Sequence, residues 1–299
     1  MDRYPEIRDL QLLLALAQRK HFTRAAVDCG ISQPAFSARI THLEKLLGVP
    51  IVRRGNKFLG FTKEGDLVLK WARKLVTDVE GMRQDIENAR DDLQGVLAVG
   101  VVPTALPYAA SISTALRARY EHLTIQIQSL SSTQIARALH EFAIDAGVTY
   151  EDDKNNGALR FDSIYQEHYV LLSPLHMAPR NKGTATWAEA AQLPLCLLSK
   201  DMRFRQIVDE VFQLAGVVAE PVMETNAFTA AVVQVSNGAA ATIAPQKLVD
   251  SLFLDRNSIS LELETPSVEK TIGLATLDHE PALPAIDALR EVIGLTKSG

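Results

Sequence analysis

Only two cysteines occur in 299 residues, Cys29 and Cys196, far apart and without metal-ligand spacing. That excludes a disulfide framework and suits a reducing compartment. Long apolar runs are also missing. The most apolar stretch, Val96 to Ala110, is interrupted by Pro103 and Pro107 and is too short to span a bilayer, so no membrane association is expected. The opening MDRYPEIRDLQ has no apolar core of the kind a secretory signal needs. The seven histidines are scattered and form no HExxH, and neither a P-loop nor a GxGxxG is present. Gln234-Val235-Ser236-Asn237-Gly238 lacks the first glycine of a nucleophile elbow. No catalytic residue, metal or cofactor is therefore expected. The expected setting is the cytoplasm of a bacterial type of cell.

Charge is unevenly spread. Residues 1–60 hold ten Lys/Arg and five Asp/Glu, a balance of +5, while the whole chain carries −5, leaving −10 on the rest. A small basic head on an acidic body suits a chain whose head meets a polyanion.

The head reads as short helices. Over 9–19, Leu10, Leu13, Leu14 and Ala17 fall on one face at helical spacing. Thr23 is placed to cap a second short helix, Ala25 and Ala26 allow close helix approach, and Gly30 supplies the turn. Ser32 then caps a third helix, with Pro34 in its first turn, where a missing N–H costs nothing. Phe36, Ile40, Leu43 and Leu47 define its buried stripe, and Gly48 ends it. Gln33, Pro34, Ser37, Arg39 and Thr41 lie off that stripe. Two short helices about a tight glycine turn make a helix-turn-helix, and a glutamine at its recognition helix can pair with adenine in the major groove. The next segment, PIVRRGNKFLGFT, alternates about Gly55-Asn56 and reads as a hairpin wing carrying Arg53, Arg54 and Lys57 toward phosphate.

Several of these pieces are shared with a known family. Residues 5–65 resemble the winged helix-turn-helix of LysR-type transcriptional regulators, in Phe22-Thr23-x-Ala25-Ala26, Ser32-Gln33-Pro34-Ala35-x-Ser37, Leu43-Glu44-x-x-Leu47-Gly48 and Thr62-x-x-Gly65. The resemblance implies DNA contact by Gln33, Pro34, Ser37 and Arg54. Together with the reading of the residues, the DNA-facing set is Thr23, Ser32, Gln33, Pro34, Ser37, Arg39, Arg53, Arg54 and Lys57. One departure stands out. The family usually has arginine directly after the serine; here Ala38 follows, and Arg39 sits about 100° further round the helix, toward phosphate rather than a base.

Residues 63–93 contain no proline, and Val68, Ala72, Leu75, Val79, Met82, Ile86, Ala89 and Leu93 alternate by four and three. That is a heptad seam, narrow enough to want a partner helix. The resemblance implies a linker helix that pairs two subunits, and hence a two-fold related operator in double-stranded DNA.

Beyond Gly95 the pattern is strand–helix–strand–helix–strand, which predicts α/β layers and a parallel sheet, followed by a second set through residue 245 and a final strand and helix. Two lobes with the chain returning to the first resemble a periplasmic-binding-protein fold, the regulatory domain of the same family. The expected domains are a winged helix-turn-helix over 1–62, a linker helix over 63–93, and an effector-binding domain over 94–299. Its first lobe covers about 94–166 and 268–299, its second about 167–267. Ligands of α/β sheets bind beyond strand carboxyl ends. Thr104, Ser131, Ser132 and Thr133 follow strands, and the resemblance adds the segment Ser199 to Phe204, so that Arg203 and Phe204 complete the expected effector set. Hydroxyls and amides at helix starts, with Arg203, suit a small carboxylate.

Three readings are open on the residues: a ligand-gated DNA-binding regulator, an enzyme with a helical appendage, and a solute-binding module. The basic head favours the first. It implies dimers through the linker helix, a dimer of dimers on bent DNA, and control of RNA polymerase access by a small effector.

Overall fold

The computed structural model describes residues 4–54, 58–88, 93–151, 159–179, 183–252, 257–278 and 282–294. They fall into two compact units, one drawn from 1–92 and 140–143, the other from 93–139 and 144–299.

The first unit begins with α1 (Ile7–Arg19), α2 (Phe22–Asp28) and α3 (Gln33–Leu47). Gly30 and Gly48 take the left-handed conformation that ends α2 and α3. The buried face of α1 is Leu10, Leu12, Leu13 and Leu16 with Asp9, while Leu14 and Ala17 are only half-buried. The expected face is displaced because α1 is covered by a later helix, α4 (Lys63–Asn88), as well as by α2 and α3. In α3, Phe36, Ile40 and Leu43 are fully buried, whereas Leu47 is exposed. Thr23 does not cap α2; His21 occupies that position and makes no side-chain cap. An antiparallel hairpin, β1 (Val52–Arg54) with β2 (Phe58–Phe61), forms the wing. Phe22 ties the parts together, meeting Phe36 and Phe58 edge-on at 6.1 and 6.3 Å. Lys57 and the Gly55-Asn56 turn lie outside the described residues, as does the side chain of Arg54.

In α4 the expected seam divides. Val68, Leu69, Ala72 and Val76 pack into the head's own core. A separate row of Leu67, Trp71, Leu75, Val79, Met82 and Ile86 is exposed. Ala89 lies outside the described residues. Leu93 is no part of the row: it is buried in the core of the second unit.

Among its described residues the second unit has two larger sheets and a two-stranded parallel one. One contains β3 (Gly95–Val101), β4 (Leu123–Ser129), β5 (Ala146–Tyr150), β6 (Leu159–Glu167) and β13 (Lys270–Leu277), in the order β4-β3-β5-β13-β6. Its helices are α5 (Leu106–Arg119), α6 (Ser132–His140) and α11 (Pro284–Ile293). The other sheet has β11 (Thr242–Pro245), β7 (Tyr169–Pro174), β12 (Ser258–Glu264) and β8 (Thr184–Thr186), in that order. With it go α7 (Trp187–Ala191), α8 (Arg203–Leu214), α9 (Phe228–Ser236), α10 (Gln246–Asp250) and the parallel pair β9 (Cys196–Leu198) and β10 (Met223–Thr225). Both sheets are mixed, not parallel. β3 runs parallel to β4 and β5, but β13 is antiparallel to β5 and β6, and β7 is antiparallel to β11 and β12. A returning strand enters from the far lobe and so can run against its neighbours. The chain passes from one sheet to the other between Glu167 and Tyr169, with His168 alone between the strands, and returns between β12 and β13.

Candidate functional site

The head presents an exposed helical face. Ser32 caps α3 by accepting a hydrogen bond from the Ala35 amide at 3.4 Å, and Pro34 fills the first turn. Gln33, Pro34 and Ala38 are exposed and Ser37 is half-buried. With Thr41, His42 and Lys45 they line one open concavity. Thr23 is exposed in the first turn of α2. His42 and Lys45 were not anticipated; they stand one and two turns beyond Ala38, on the same helical face.

Arg39 departs from expectation. Its guanidinium turns back onto α1, donating to Asp9 and to Glu6, each at 2.5 Å. Those hydrogen bonds, the one to Glu6 foremost, raise its pKa further. Asp9 is buried, so Arg39 fastens α3 to α1 and is not directed at phosphate.

The wing is held from beneath. Glu44 accepts hydrogen bonds from the Ile51 and Val52 amides at 2.9 and 3.0 Å, a role that was not foreseen although its motif position was. Thr62 donates to the Pro50 carbonyl at 2.6 Å and accepts from the Gly65 amide at 2.8 Å, which caps α4 and closes the hairpin. Arg53 is exposed, with Nε donating to the Phe61 carbonyl at 2.7 Å. The Thr62-x-x-Gly65 spacing thus has a mechanical reason. A Cβ on Gly65 would lie 2.1 Å from the Ile51 carbonyl oxygen. Backbone cannot yield as a side chain does, so Gly65→Ala is expected to cost about 1–3 kcal/mol and to lower DNA affinity through the displaced wing. Thermal unfolding of the full chain, paired with a binding titration, checks both effects.

In the second unit Thr104, in the 3₁₀ turn Pro103–Ala105 after β3, is buried and lies 3.0 Å from the Tyr150 hydroxyl at the end of β5. Tyr150 in turn donates to Glu167 Oε2 at 2.6 Å, so Thr104 is the donor of its own bond. Tyr169 opens β7 and packs edge-on to Phe204 at 5.7 Å, with Phe204 itself buried at the start of α8. Arg203 is held by Glu210 at 2.8 Å. The other expected hydroxyls are used locally. Ser131 exchanges hydrogen bonds with Gln134 as the cap of α6, Ser132 accepts from Thr149 at 2.9 Å, and Thr133 is exposed. The structure therefore brings Thr104, Arg203 and Phe204 toward Tyr169 and Glu167. Tyr150, Glu167 and Tyr169 were missed by sequence reasoning; a lone acid in Tyr165-Gln166-Glu167-His168-Tyr169 was the available signal.

Burial pushes the Glu167 carboxyl up to about 8, against the lowering effect of hydrogen bonds with Tyr150 and Tyr169. Asp145, half-buried and accepting from the Ala98 amide, is pushed up to about 6 by desolvation. The unfolded chain releases both protons in the usual carboxylate range, near pH 4, while the folded chain retains them. These two groups therefore favour the folded chain most below about pH 4, and their contribution falls as pH rises from there, levelling off at about 6 for Asp145 and about 8 for Glu167. Glu167→Gln is expected to flatten the upper part of that fall, measured by thermal unfolding of the full chain between about pH 6 and pH 9.

Among the described residues no group of His, Cys, Asp and Glu could hold a metal ion, and no helix is long and apolar enough to cross a membrane.

Known proteins match along nearly the whole chain. Residues 7–66 match the family described as "Bacterial regulatory helix-turn-helix protein, lysR family", and residues 90–295 match "LysR substrate binding domain". A "Probable hydrogen peroxide-inducible genes activator" of Mycobacterium leprae is 29% identical over 97% of this chain and 94% of its own length. The "DNA-binding transcriptional dual regulator OxyR" of Escherichia coli K12 is 26% identical over 98% of this chain and 96% of its own. Among solved structures, a full-length OxyR variant from Pseudomonas aeruginosa shares the fold with a TM-score of 0.79 at 22% identity, covering 98% of this chain and 96% of that one. CbnR in complex with its target DNA shares it at 0.71 and 21%, covering 97% and 99%.

Proposed function

The chain belongs to the LysR family of bacterial DNA-binding transcriptional regulators, and we propose that it acts as a dimer on a two-fold related operator under control of a small molecule held between its two lobes. The observation that carries this is the exposed Gln33-Pro34-Ser37 face on a Ser-capped helix beside a wing, joined to a helix with an unpartnered apolar row. Residues 1–62 form the DNA-binding domain in this reading. Gln33, Pro34 and Ser37 enter the major groove, and Thr23, Ser32, Arg53, Arg54 and Lys57 meet the backbone. Arg39 acts only by fixing the helix. Residues 63–93 pair two subunits and 94–299 receive the effector. Two such dimers assemble on bent DNA in the cytoplasm, and effector binding changes the spacing of the heads and the access of RNA polymerase. A ligand does this only by favouring one arrangement over the other.

The peroxide-responsive names of the relatives do not carry over with the thiols. Cys29 and Cys196 are both unbridged, and Cys196 is fully buried. Burial raises the pKa of each, which keeps the thiol protonated and weakly nucleophilic at neutral pH. A small carboxylate stays the proposed effector class, with Arg203 as counter-ion in exchange for the exposed Glu210.

The test is the salt dependence of duplex binding by fluorescence anisotropy. Arg54→Ala is expected to weaken binding to operator and random duplex alike and to reduce the slope of log K against log salt by about one per head. An unchanged slope rejects the basic wing as a DNA contact.

A further inference from the structure

Behind the recognition helix, Asp9 is only half satisfied. It is 1% exposed in the first turn of α1, and its Oδ1 accepts from Arg39 Nε at 2.5 Å, while its Oδ2 is buried with no hydrogen-bond partner among the described residues. A buried carboxylate oxygen left in that state is costly. The charge beside it does not close either. One guanidinium, that of Arg39, serves two carboxylates, Asp9 and Glu6, which leaves one negative charge over. Facing Oδ2 is the imidazole of His42, with Nδ1 at 3.9 Å, too long for a hydrogen bond. The His42 side chain is 63% exposed, so its own rotation can close the gap. The other charged groups of the helices packed together here are engaged or turned outward. On α1, Arg8 is exposed and acts on Cys29. On α2, Asp28 pairs with Arg19, and Arg24 is exposed. On α3, Glu44 accepts the wing amides, and Lys45 lies with His42 on the concave face.

His42 also belongs to the surface that meets DNA in the reading above. It lines the same concavity as Gln33 and Ser37. Nine helical steps separate it from Gln33, a rise of about 13.5 Å, slightly more than the major groove's width of about 12 Å. With Gln33 at the bases, His42 stands over the phosphates that edge the groove. We propose that His42 enters the DNA complex as an imidazolium held between two anions, its Nδ1–H donating to Asp9 Oδ2 and its Nε2–H to a backbone phosphate. Asp9 is then the positioning residue and His42 the contact. An imidazole carries two N–H donors only when protonated, so each head takes up one proton from the buffer on binding wherever the free ring is neutral. The surplus negative charge is thereby neutralised, and the orphaned oxygen gains its donor. DNA and proton favour each other's binding reciprocally. This rests on the reading of α3 as the recognition helix and adds a pH-dependent backbone contact to it. Because the contact is to phosphate, it strengthens binding to operator and random duplex alike.

The experiment titrates the full chain against a labelled random-sequence duplex by fluorescence anisotropy. Ionic strength is held constant and pH is varied between about 6 and 8, the range in which imidazoles change charge. Log affinity is expected to fall with rising pH, by up to about one per pH unit per head. The slope of log affinity against log salt is expected to be steeper at about pH 6 than at about pH 8, by about one per head. His42→Gln, which cannot take the proton, flattens both responses and binds about fivefold or more weakly at the acid end. His42→Lys, charged throughout, restores binding at the alkaline end. Both change an exposed side chain, so the fold is not at stake. Asp9→Asn still accepts from Arg39 but carries no charge; checked as folded by thermal unfolding, it moves the pH response to lower pH. His21→Gln, at an exposed histidine of the same unit, keeps the wild-type response. Wild-type affinity that is independent of pH, or a pH response that His42→Gln retains in full, overturns the assignment of His42 while the DNA-binding reading stands. A response that Asp9→Asn leaves in place overturns the positioning role of Asp9. A wild-type chain that binds no duplex at any pH overturns the DNA-binding reading as well.

Discussion

Full-length protein carrying Leu75→Asp and Val79→Asp sediments as a monomer and binds a two-fold operator about 10²–10⁴-fold more weakly than wild type. The basis is the row Leu67, Trp71, Leu75, Val79, Met82 and Ile86, large apolar side chains left exposed along one side of α4 while the adjoining side is used up by the head's own core. Repeats of four and three on a 26-residue helix are the geometry of a paired helix. Two carboxylates in the middle of such a seam would be desolvated without partners, and the paired state would open. Each head would then bind its half-site alone, losing the effective concentration that linkage supplies. The residues changed are exposed within one chain, so monomer stability should hold. Asp85→Ala, an exposed position on the same helix, serves as control and should sediment as wild type. A double variant that remains dimeric removes the seam from the account.

The second large effect belongs to the recognition helix. Gln33→Ala with Ser37→Arg is expected to abolish operator preference while leaving random-duplex binding within a few-fold of wild type. A good side-chain contact to a base is worth about 1–3 kcal/mol, and a dimer loses it at both half-sites, which amounts to about 30-fold to 10⁴-fold. The arginine adds bulk to the groove-facing side but also a positive charge, so phosphate attraction is not diminished. Neither side chain holds the fold: Gln33 is exposed, and it is the Ser37 carbonyl, not its hydroxyl, that accepts the bond from Thr41. Tm should therefore stay near that of wild type. Competition titrations of labelled operator against random duplex give both affinities, and equal losses on the two would show that these residues position the head without reading sequence.

Local rules made much of the head legible. Ser32 before Gln33-Pro34, the i, i+4, i+7 run of Phe36, Ile40 and Leu43, and Gly30 and Gly48 at positive φ each follow from one turn of chain. What the sequence concealed depends on distant partners. Arg39 reads as a free cation until Asp9, thirty residues earlier, is seen to hold it. Glu44 is only a motif position until the wing amides are seen to donate to it. Periodicity could not show where the linker helix stops, and so drew Leu93 into a seam when it belongs to another core. β6, with its half-exposed mixture LRFDSIYQE, gave too little alternation to be recognised, and the antiparallel pairing of β13 is a matter of topology. Glu167 was invisible for the same reason: burial is set by both lobes together, and one strand's composition says nothing of it.

These parts give a consistent physical picture. In the proposed picture the head reads DNA, the linker helix pairs two heads, and the second unit receives a small molecule. DNA recognition by paired heads is the claim on which the rest depends. The direct test is selection of duplexes from a random-sequence library by the full-length protein, followed by sequencing of the retained pool. The account predicts enrichment of a two-fold related motif, lost with Gln33→Ala and reduced to one half-site with Leu75→Asp and Val79→Asp. A pool that stays random, or a motif that survives both variants, would contradict it.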